Sequence, residues 1–280
     1  MRIAVLGDIH SNHVALEACM RLIEDNDIDG IAFLGDYVSD CPYPSKTMRI
    51  LRNIPDWYKT WFIRGNREDY LLAHRYSDDR WHYCSQSGSL LYTFEELTSS
   101  DLRFFEDMPI GMEVLETGLP PFSICHASMQ DNRLLFDHQS PLIDEIMEQQ
   151  ATELMICGHY HVPYIYKTKH KRIINAGSAG MNSTGRPGEA SMLIISSEGE
   201  KWQAEHMSVP YDIDRVIKEF KTSGMLEKAN VWSRASIALL KTGIDYNYKC
   251  VMLVQKLIKE SGAPFDDEAT WQKAAEMLGI

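Results

Sequence analysis

The sequence contains no paired cysteine motif and no long apolar run, and each absence excludes a class of protein. The six cysteines stand apart without a C-x-x-C pair, which argues against a disulfide framework or a cysteine-rich zinc site. Two of them, Cys125 and Cys157, lie in apolar strand-like runs, and we interpret the set as reduced core residues. No stretch reaches the length of about 18 apolar residues that marks a membrane helix, and the N-terminal apolar run is too short for a signal peptide. These features predict a cytoplasmic protein that has no membrane partner.

Basic residues are also in deficit, with 28 Lys and Arg against 40 Asp and Glu and a formal net charge of −12. This balance argues against a nucleic-acid groove, in which Lys and Arg would neutralise many phosphates. A small phosphorylated substrate, including a nucleotide, is still compatible because bound cations can reverse the local field. The 280 residues, 44% of them hydrophobic, suffice for one large globular domain or one domain with an appendage.

An apolar strand at the N-terminus leads directly into polar residues that can bind metal. Residues 3–12 read I-A-V-L-G-D-I-H-S-N, a predicted buried strand followed by a glycine turn, with Asp8 and His10 just beyond the strand. Ser11 or Asn12 then caps the first predicted helix. Taken alone, the stretch is equally consistent with a carboxylate that ends a strand and a histidine on a turn.

The same pattern of a strand followed by a potential ligand recurs along the chain. Further buried strands are predicted at residues 30–36, 59–64, 121–126 and 153–161. The side chains that follow the five strands share one property, the ability to bind a divalent metal: Asp8, His10, Asp36, Asn66, His126, His159 and His161. Adjacent parallel strands would bring Asp8 and Asp36 within reach of one cation. An extended segment would point His159 and His161 the same way.

These blocks together resemble the calcineurin-like metallophosphoesterase family, in its bacterial and archaeal branch of small phosphodiesterases. The matching motifs are D-x-H at residue 8, G-D at 35, G-N-x-E at 65, the histidine at 126, and G-H-x-H at 158. The resemblance implies an α/β fold, a four-layer α/β sandwich in which two packed mixed sheets are flanked by helices. It covers about residues 1–210, which we predict to be a metallophosphoesterase domain with a helical insert at about 67–108.

From about residue 211 apolar residues recur at helical spacing, which predicts a helical C-terminal extension over 211–280. We expect this extension to pack against the sandwich or against a partner subunit, in which case the protein is a homo-oligomer. A glycine-rich segment precedes it at residues 175–188. Close backbone packing beside the pocket is its expected role, and direct contact with substrate is the less favoured alternative.

The resemblance also implies a ligand set for two divalent ions. One ion would be held by Asp8, His10 and His161, the other by Asn66, His126 and His159, and the Asp36 carboxylate would bridge them. Asp36 is thus expected to be catalytic, and Asn66 and His126 are expected to contact substrate as well. Mixed imidazole and carboxylate ligands suit manganese, iron or zinc better than magnesium, and manganese is the expected metal in vitro.

One position departs from the family pattern. Relatives often carry G-N-H-D or G-N-H-E, whereas this chain has Gly65-Asn66-Arg67-Glu68. Arginine cannot donate a proton at neutral pH, but its planar fork binds anionic oxygens. Arg67 is therefore predicted to bind the substrate phosphate as a catalytic clamp, which favours leaving groups that need little protonation. In the alternative, Arg67 pairs with Glu68 or Glu17 and has no catalytic part.

The expected function is a dinuclear metal-dependent phosphoesterase. Its substrate would be a small phosphodiester or phosphoanhydride, for example a dinucleoside polyphosphate, attacked by a metal-bound hydroxide. One alternative is a catalytically weak, metal-binding scaffold that recruits a protein partner through its C-terminal helices. Another is a protein phosphatase, which is less favoured because the acidic chain and the helical insert suggest a covered pocket for small molecules.

Overall fold

The computed structural model describes residues 1–77, 81–199 and 201–280 and has two five-stranded mixed sheets with helices outside them. The strands are β1 Arg2–Leu6, β2 Gly30–Phe33, β3 Lys59–Phe62, β4 Gly111–Val114, β5 Phe122–Cys125, β6 Leu154–Cys157, β7 Tyr164–Lys167, β8 Arg172–Asn175, β9 Glu189–Glu198 and β10 Lys201–Pro210. The helices are α1 His13–Glu24, α2 Pro44–Leu51, α3 Asn66–Tyr76, α4 Gly88–Glu96, α5 Ser99–Glu106, α6 Ile143–Gln149, α7 Ile213–Thr222, α8 Met225–Lys228, α9 Asn230–Thr242, α10 Tyr246–Ser261 and α11 Glu268–Leu278. The predicted α/β sandwich with C-terminal helices is confirmed.

The first sheet has the strand order β10-β9-β1-β2-β3. Its strands β1, β2 and β3 are parallel, with Ile3 opposite Gly30 and Gly30 opposite Lys59. Because parallel strands end at the same edge, the loops after all three strands meet there. The long hairpin of β9 and β10 completes the other side of the sheet in antiparallel fashion.

The second sheet has the order β4-β5-β6-β8-β7, in which β5, β6 and β8 are parallel. The two sheets enclose a shared apolar core, with Val5 and Ala32 from the first sheet and Ile124, Ile156 and Ile174 from the second, all fully buried. Strands buried on both faces explain why β1, β2, β5 and β6 read as continuous apolar runs in the sequence. The carboxyl ends of β5 and β6 carry further loops toward the same region as those of the first sheet.

Two elements were not predicted from the sequence, namely the edge strand β4 and the helix α6, and helices α8 and α9 lie within the predicted helical extension without having been located individually. Strand β4 is short and half-buried, so its alternation is weak, and α6 and α8 have only seven and four residues. Helix α9 has thirteen residues and buries Val231, Leu239 and Leu240 together with the small side chains of Ala235 and Ser236. This omission matters because α9 reaches the candidate site.

The helices after β10 pack against the sandwich through α7 and α9. Val216, Phe220 and Leu239 join Val14 of α1 and Tyr92 of α4 in one buried apolar cluster. A second cluster holds α9, α10 and α11 together around the buried Trp271. Within the described ranges, no helix has the length and apolar character needed to cross a membrane.

Candidate metal centre

The loops that carry the predicted ligands adopt an unusual backbone conformation. Asp8, His10, Asp36, His159 and His161 have φ of +53°, +50°, +52°, +64° and +63°. Residues other than glycine rarely adopt this left-handed backbone conformation, and each such residue costs about 1–3 kcal/mol of folding free energy. Strain of this kind persists only where surrounding contacts determine it. Here the N–H of Asp8 donates to the carbonyl of Gly35 at 3.0 Å, and that of His10 donates to the carbonyl of Asp36 at 2.9 Å.

The left-handed backbone also corrects one expectation from the sequence. The segment that carries His159 and His161 is not extended, because both residues have positive φ. The two imidazoles consequently belong to different groups of side chains. His161 lies beside Asp8 and His10, whereas His159 lies beside Asp36 and His126.

The first group consists of Asp8, His10 and His161, whose ligand atoms all lie within 4.8 Å of one another. The Nε2 atoms of His10 and His161 are 3.0 Å apart, and Oδ1 of Asp8 is 3.3 Å from the latter. Ligands about 2.0–2.2 Å from a common ion lie at about such separations from each other. Nδ1 of His161 donates to the carbonyl of Met181 at 3.0 Å, which leaves its Nε2 free to bind metal.

The second group consists of Asp36, His126 and His159, again with ligand atoms within 4.8 Å of one another. Nε2 of His126 lies 3.1 Å from Nδ1 of His159 and 3.0 Å from Oδ1 of Asn66. Nδ1 of His126 donates a hydrogen bond to the carbonyl of Leu34 at 2.8 Å, so its Nε2 also faces the group and is free to bind metal. The structure therefore brings all seven side chains proposed from the sequence into one buried region.

Asp36, a member of the second group, also faces the first group. Its Oδ2 atom is 3.8 Å from Nε2 of His10 and 3.5 Å from Nε2 of His126. The other oxygen, Oδ1, accepts the backbone N–H of Arg67 at 2.8 Å, which fixes the carboxylate orientation. One oxygen of Asp36 is thus positioned to face a ligand of each group.

An unpartnered buried atom supports a cation at this place. Oδ1 of Asp8 is fully buried and accepts no hydrogen bond within the described part of the chain, with Nε2 of His161 3.3 Å away, whereas Oδ2 accepts the N–H of His159 at 2.9 Å. A buried carboxylate oxygen without a partner is costly, and a bound cation would satisfy it. The donor set of carboxylates, imidazoles and one amide fits divalent transition metals.

The electrostatics of the site keep the carboxylates ionised. Burial alone would raise the pKa of Asp36, but the adjacent His126 and His10 hold that pKa well below its ordinary value. Burial also opposes a charge on His126, yet the Asp36 and Asp8 carboxylates raise its pKa to about 10. Burial lowers the pKa of His159 to about 4, and the nearby His126 acts in the same direction. Metal binding requires ionised carboxylates and neutral imidazoles, so a cation bound here would displace the proton that the carboxylates favour on His126.

Arg67 binds a carboxylate that was not singled out in the sequence. One of its Nη atoms lies 2.9 Å from Oδ2 of Asp40, and Nδ1 of His10 lies 2.9 Å from the same oxygen. The other oxygen of Asp40 accepts the indole N–H of Trp232 at 2.7 Å. The alternative in which Arg67 pairs with Glu68 or Glu17 is wrong, because Glu17 pairs with Arg215 and Glu68 accepts backbone N–H groups.

Glu68 is a buried structural acceptor that joins two ligand loops. Its carboxylate accepts the backbone N–H groups of Asp36, Tyr37 and Gly65 at 2.9, 2.8 and 3.0 Å. Burial and the nearby Asp36 raise the pKa of Glu68 to about 7, against the effect of the backbone donors. The acidic residue of the G-N-x-E motif thus holds the Asp36 loop against the start of α3.

The glycine-rich segment packs against the Asp8 loop, as expected. The hydroxyl of Ser178 donates to the carbonyl of Asp8 at 2.7 Å, and the N–H of Gly180 donates to the same carbonyl at 3.0 Å. A Cβ on Gly180 would lie 1.8 Å from the carbonyl oxygen of Ile9, so only glycine fits there. Asn12, rather than Ser11, caps α1 by accepting the N–H of Ala15 at 3.1 Å.

A cavity of about 240 Å³ opens onto the two groups of ligands. Its wall comes from the C-terminal helices, with Trp232 and Leu239 of α9 and Tyr248 and Val251 of α10. The helical insert was expected to cover the pocket, and this expectation is wrong. Of residues 67–108, as far as the structure describes them, only Arg67 lines the cavity.

Comparison with known proteins identifies the family. The sequence model described as the calcineurin-like phosphoesterase superfamily domain matches residues 1–200. An uncharacterized protein of Methanocaldococcus jannaschii is 26% identical over 244 residues, which cover 78% of this chain and 90% of that protein.

Two solved structures have a similar fold. A hypothetical protein of Pyrococcus horikoshii is 22% identical with a TM-score of 0.72, and the match covers 86% of this chain and 98% of the other. A metallophosphoesterase of Sphaerobacter thermophilus is 21% identical with a TM-score of 0.67, covering 82% and 98%. Both matches extend beyond residue 200, so the similarity in fold includes part of the C-terminal helices.

Proposed function

Because the chain belongs to the calcineurin-like phosphoesterase superfamily, we propose that it is a dinuclear metal-dependent hydrolase of a small phosphodiester or phosphoanhydride. The observation that carries the proposal is the position of Asp36, whose Oδ2 atom faces His10 on one side and His126 on the other. A single carboxylate oxygen between two imidazole-bearing groups is the arrangement that a pair of divalent ions requires. Two such ions, when bound, acidify water and stabilise the charge that develops on a phosphoryl group.

The ligands divide into two sets. Asp8, His10 and His161 would hold one ion, and Asn66, His126 and His159 would hold the other, with Asp36 between them. Manganese, iron and zinc suit these donors, and manganese is the metal we propose for reconstitution. Asn66 also lines the cavity beside the second set, where a substrate phosphate oxygen would approach. His126 was expected to contact substrate as well, but it is fully buried and does not line the cavity, so we propose it as a metal ligand alone.

Arg67 would contact the substrate phosphate. Its guanidinium lines the cavity while one of its nitrogen atoms is bound to Asp40, which limits the side chain to a few orientations. A guanidinium held in this way has further N–H groups available for an anionic oxygen. Because it cannot donate its proton, we propose that the enzyme prefers leaving groups of low pKa, such as an aryl alcohol or a phosphate of an anhydride.

The decisive experiment is hydrolysis of bis(4-nitrophenyl) phosphate by protein loaded with manganese. We expect metal-dependent release of nitrophenol that falls by more than about 100-fold in Asp36→Asn, since even indirect partners of metal ligands cost 10–100-fold. Asp27→Asn is the matched control, because this aspartate is exposed and precedes β2, at the end of the strand opposite to the ligand loops. Metal content is measured in parallel. Bound metal without turnover would favour the scaffold, and turnover of a phosphoprotein alone would favour the protein phosphatase.

A further inference from the structure

The cavity at the candidate metal centre is partly lined by apolar side chains that the proposed chemistry does not use. Its polar lining includes His10, Asp36, Asn66 and Arg67, together with Asp245 and Asn247 at the start of α10. The large apolar and aromatic lining side chains are Leu135, Met181, Trp232, Leu239, Tyr248 and Val251. A cavity of about 150 Å³ lined by apolar side chains is large enough for a benzene ring. The volume of about 240 Å³ therefore accommodates an aromatic ring beside a phosphoryl group.

A second cavity, of about 500 Å³, meets the first at the same histidines. The two cavities share five lining residues: Leu135, His159, His161, Asp245 and Tyr248. Tyr160, Val162 and Ile244 give the second cavity a largely apolar lining of its own. A phosphorus atom beside His159 and His161 would consequently have a separate apolar compartment available for each of two ester groups.

Charge limits how much phosphate the two cavities can accept. Among the described residues that line them, Arg67 is the one arginine or lysine, and it already binds Asp40. Asp245 adds a carboxylate to both cavities and accepts the N–H of Tyr248 at 2.9 Å. Apart from the proposed metal ions, a polyphosphate chain would find Arg67 as its one cationic side chain among these lining residues, whereas a diester brings a single negative charge.

We propose that the substrate is a phosphodiester monoanion with an aromatic or similarly planar apolar group on each ester oxygen, one group in each cavity, and that Tyr248 contacts both groups. This inference rests on the proposed function and narrows it, since it disfavours the dinucleoside polyphosphate. Tyr248 is 53% exposed and belongs to both linings, so its ring is the surface on which the two groups would meet.

The test compares diesters that differ in one arm. Bis(4-nitrophenyl) phosphate and methyl 4-nitrophenyl phosphate release the same leaving group, so the ratio of their kcat/KM values reports the second arm. We expect this ratio to fall by about tenfold in Tyr248→Ala, because the second aryl group of the substrate would lose the Tyr248 ring that it contacts. Met252→Ala is the control, since Met252 lies on the same helix, is 48% exposed and lines neither cavity. It should leave the ratio unchanged.

Binding measured without turnover tests the two apolar compartments separately from the proposed hydrolase function. Calorimetric titration of manganese-loaded protein should give a Kd for diphenyl phosphate about tenfold lower than for dimethyl phosphate, and Tyr248→Ala should reduce that difference. Equal affinities, an unchanged ratio in Tyr248→Ala, or higher kcat/KM on diadenosine tetraphosphate than on the diaryl ester would overturn the inference while leaving a phosphoesterase. Tighter binding of diphenyl phosphate than of dimethyl phosphate, with no hydrolysis of either nitrophenyl ester, would support the apolar compartments and overturn the proposed function.

Discussion

The indole Nε1 of Trp232 donates a hydrogen bond of 2.7 Å to Oδ1 of Asp40, although the two residues lie 192 positions apart. The other oxygen of Asp40 is 2.9 Å from both Nδ1 of His10 and a guanidinium nitrogen of Arg67. The guanidinium also lies over the Trp232 ring, 5.6 Å from its centroid. A helix of the C-terminal extension thus helps to fix the orientation of one proposed metal ligand and of the proposed phosphate clamp.

Replacing Trp232 by phenylalanine keeps most of the apolar surface but removes the N–H that Asp40 accepts. We expect the affinity for manganese and the turnover of the diaryl ester to fall by about tenfold, since partners of metal-binding histidines contribute 10–100-fold. Trp57→Phe is the control, because Trp57 is 76% exposed. A lower melting temperature with unchanged manganese affinity would indicate that Trp232 has a packing role only.

Replacing Arg67 by histidine tests the leaving-group argument. Imidazole can donate a proton near neutral pH, and arginine cannot. We therefore expect Arg67→His to lose activity on a nitrophenyl diester while gaining at least several-fold, relative to that substrate, on an alkyl phosphodiester whose alkoxide needs protonation. A dinucleoside polyphosphate should respond like the nitrophenyl ester, because phosphate is a good leaving group. Equal changes of kcat on all of these substrates would contradict a role in leaving-group selection.

The order of strand, glycine and ligand made much of the site predictable. Parallel strands end at one edge, so residues that follow them directly, such as Asp8, Asp36 and His126, can be located from local pattern alone. Asp40 and Trp232 could not be located in this way. Asp40 lies four residues beyond Asp36, where the sequence shows only turn residues, and Trp232 reaches it from a helix 192 positions further along the chain.

The backbone conformation of the loops could not be predicted from the sequence pattern either. His159 and His161 were expected in an extended segment, yet tertiary hydrogen bonds hold both in the left-handed region. Residues other than glycine disfavour this conformation. Local propensity therefore predicts the wrong backbone conformation where the contacts of the site outweigh that preference. The edge strand β4 was missed for a related reason, since its pairing with β5 rather than its own pattern defines it.

Glycine at position 158 leaves room for the carboxylate of Asp8. A Cβ there would lie 2.4 Å from Oδ2 of Asp8, closer than any non-bonded contact permits. We expect Gly158→Ala to displace Asp8 and to lower manganese affinity at least tenfold. Gly111→Ala is a milder control, because its nearest neighbour at 3.0 Å is the flexible Sδ of Met129. Metal content and melting temperature should be measured together, and an unchanged manganese affinity in Gly158→Ala would count against the assignment of Asp8.

The half-buried His206 should make the fold less stable in acid. Its Nε2 donates to the carbonyl of Asn175 at 2.7 Å, and burial lowers the pKa of the imidazole. The unfolded chain then binds a proton near pH 6.5 more readily than the folded chain does, so stability is lost as the pH falls below about 6.5. His206→Gln keeps an N–H donor without titrating. The free-energy difference between wild type and this variant should shrink between pH 8 and pH 5, and a constant difference would exclude the effect.

Removing the metal should lower the melting temperature, because a bound cation would compensate the buried carboxylates of the site. Burial opposes the ionisation of Asp8, the adjacent His161 and His126 hold its pKa below the ordinary value, and its Oδ1 accepts no hydrogen bond within the described residues. An ion that binds only the folded state stabilises it by about 2.7 kcal/mol at 100 times its Kd. For 280 residues, at an unfolding entropy of about 2.1 cal/mol/K per residue, that corresponds to roughly 5 °C.

Scanning calorimetry of protein treated with a chelator and then reloaded measures this shift directly. Manganese and zinc should restore the melting temperature more fully than magnesium at equal concentration, because imidazole donors favour the transition metals. Asp36→Asn should respond weakly to every ion, since it removes the carboxylate between the two ligand sets. Equal stabilisation by magnesium and manganese would point to oxygen ligands alone and would exclude the histidines as metal ligands.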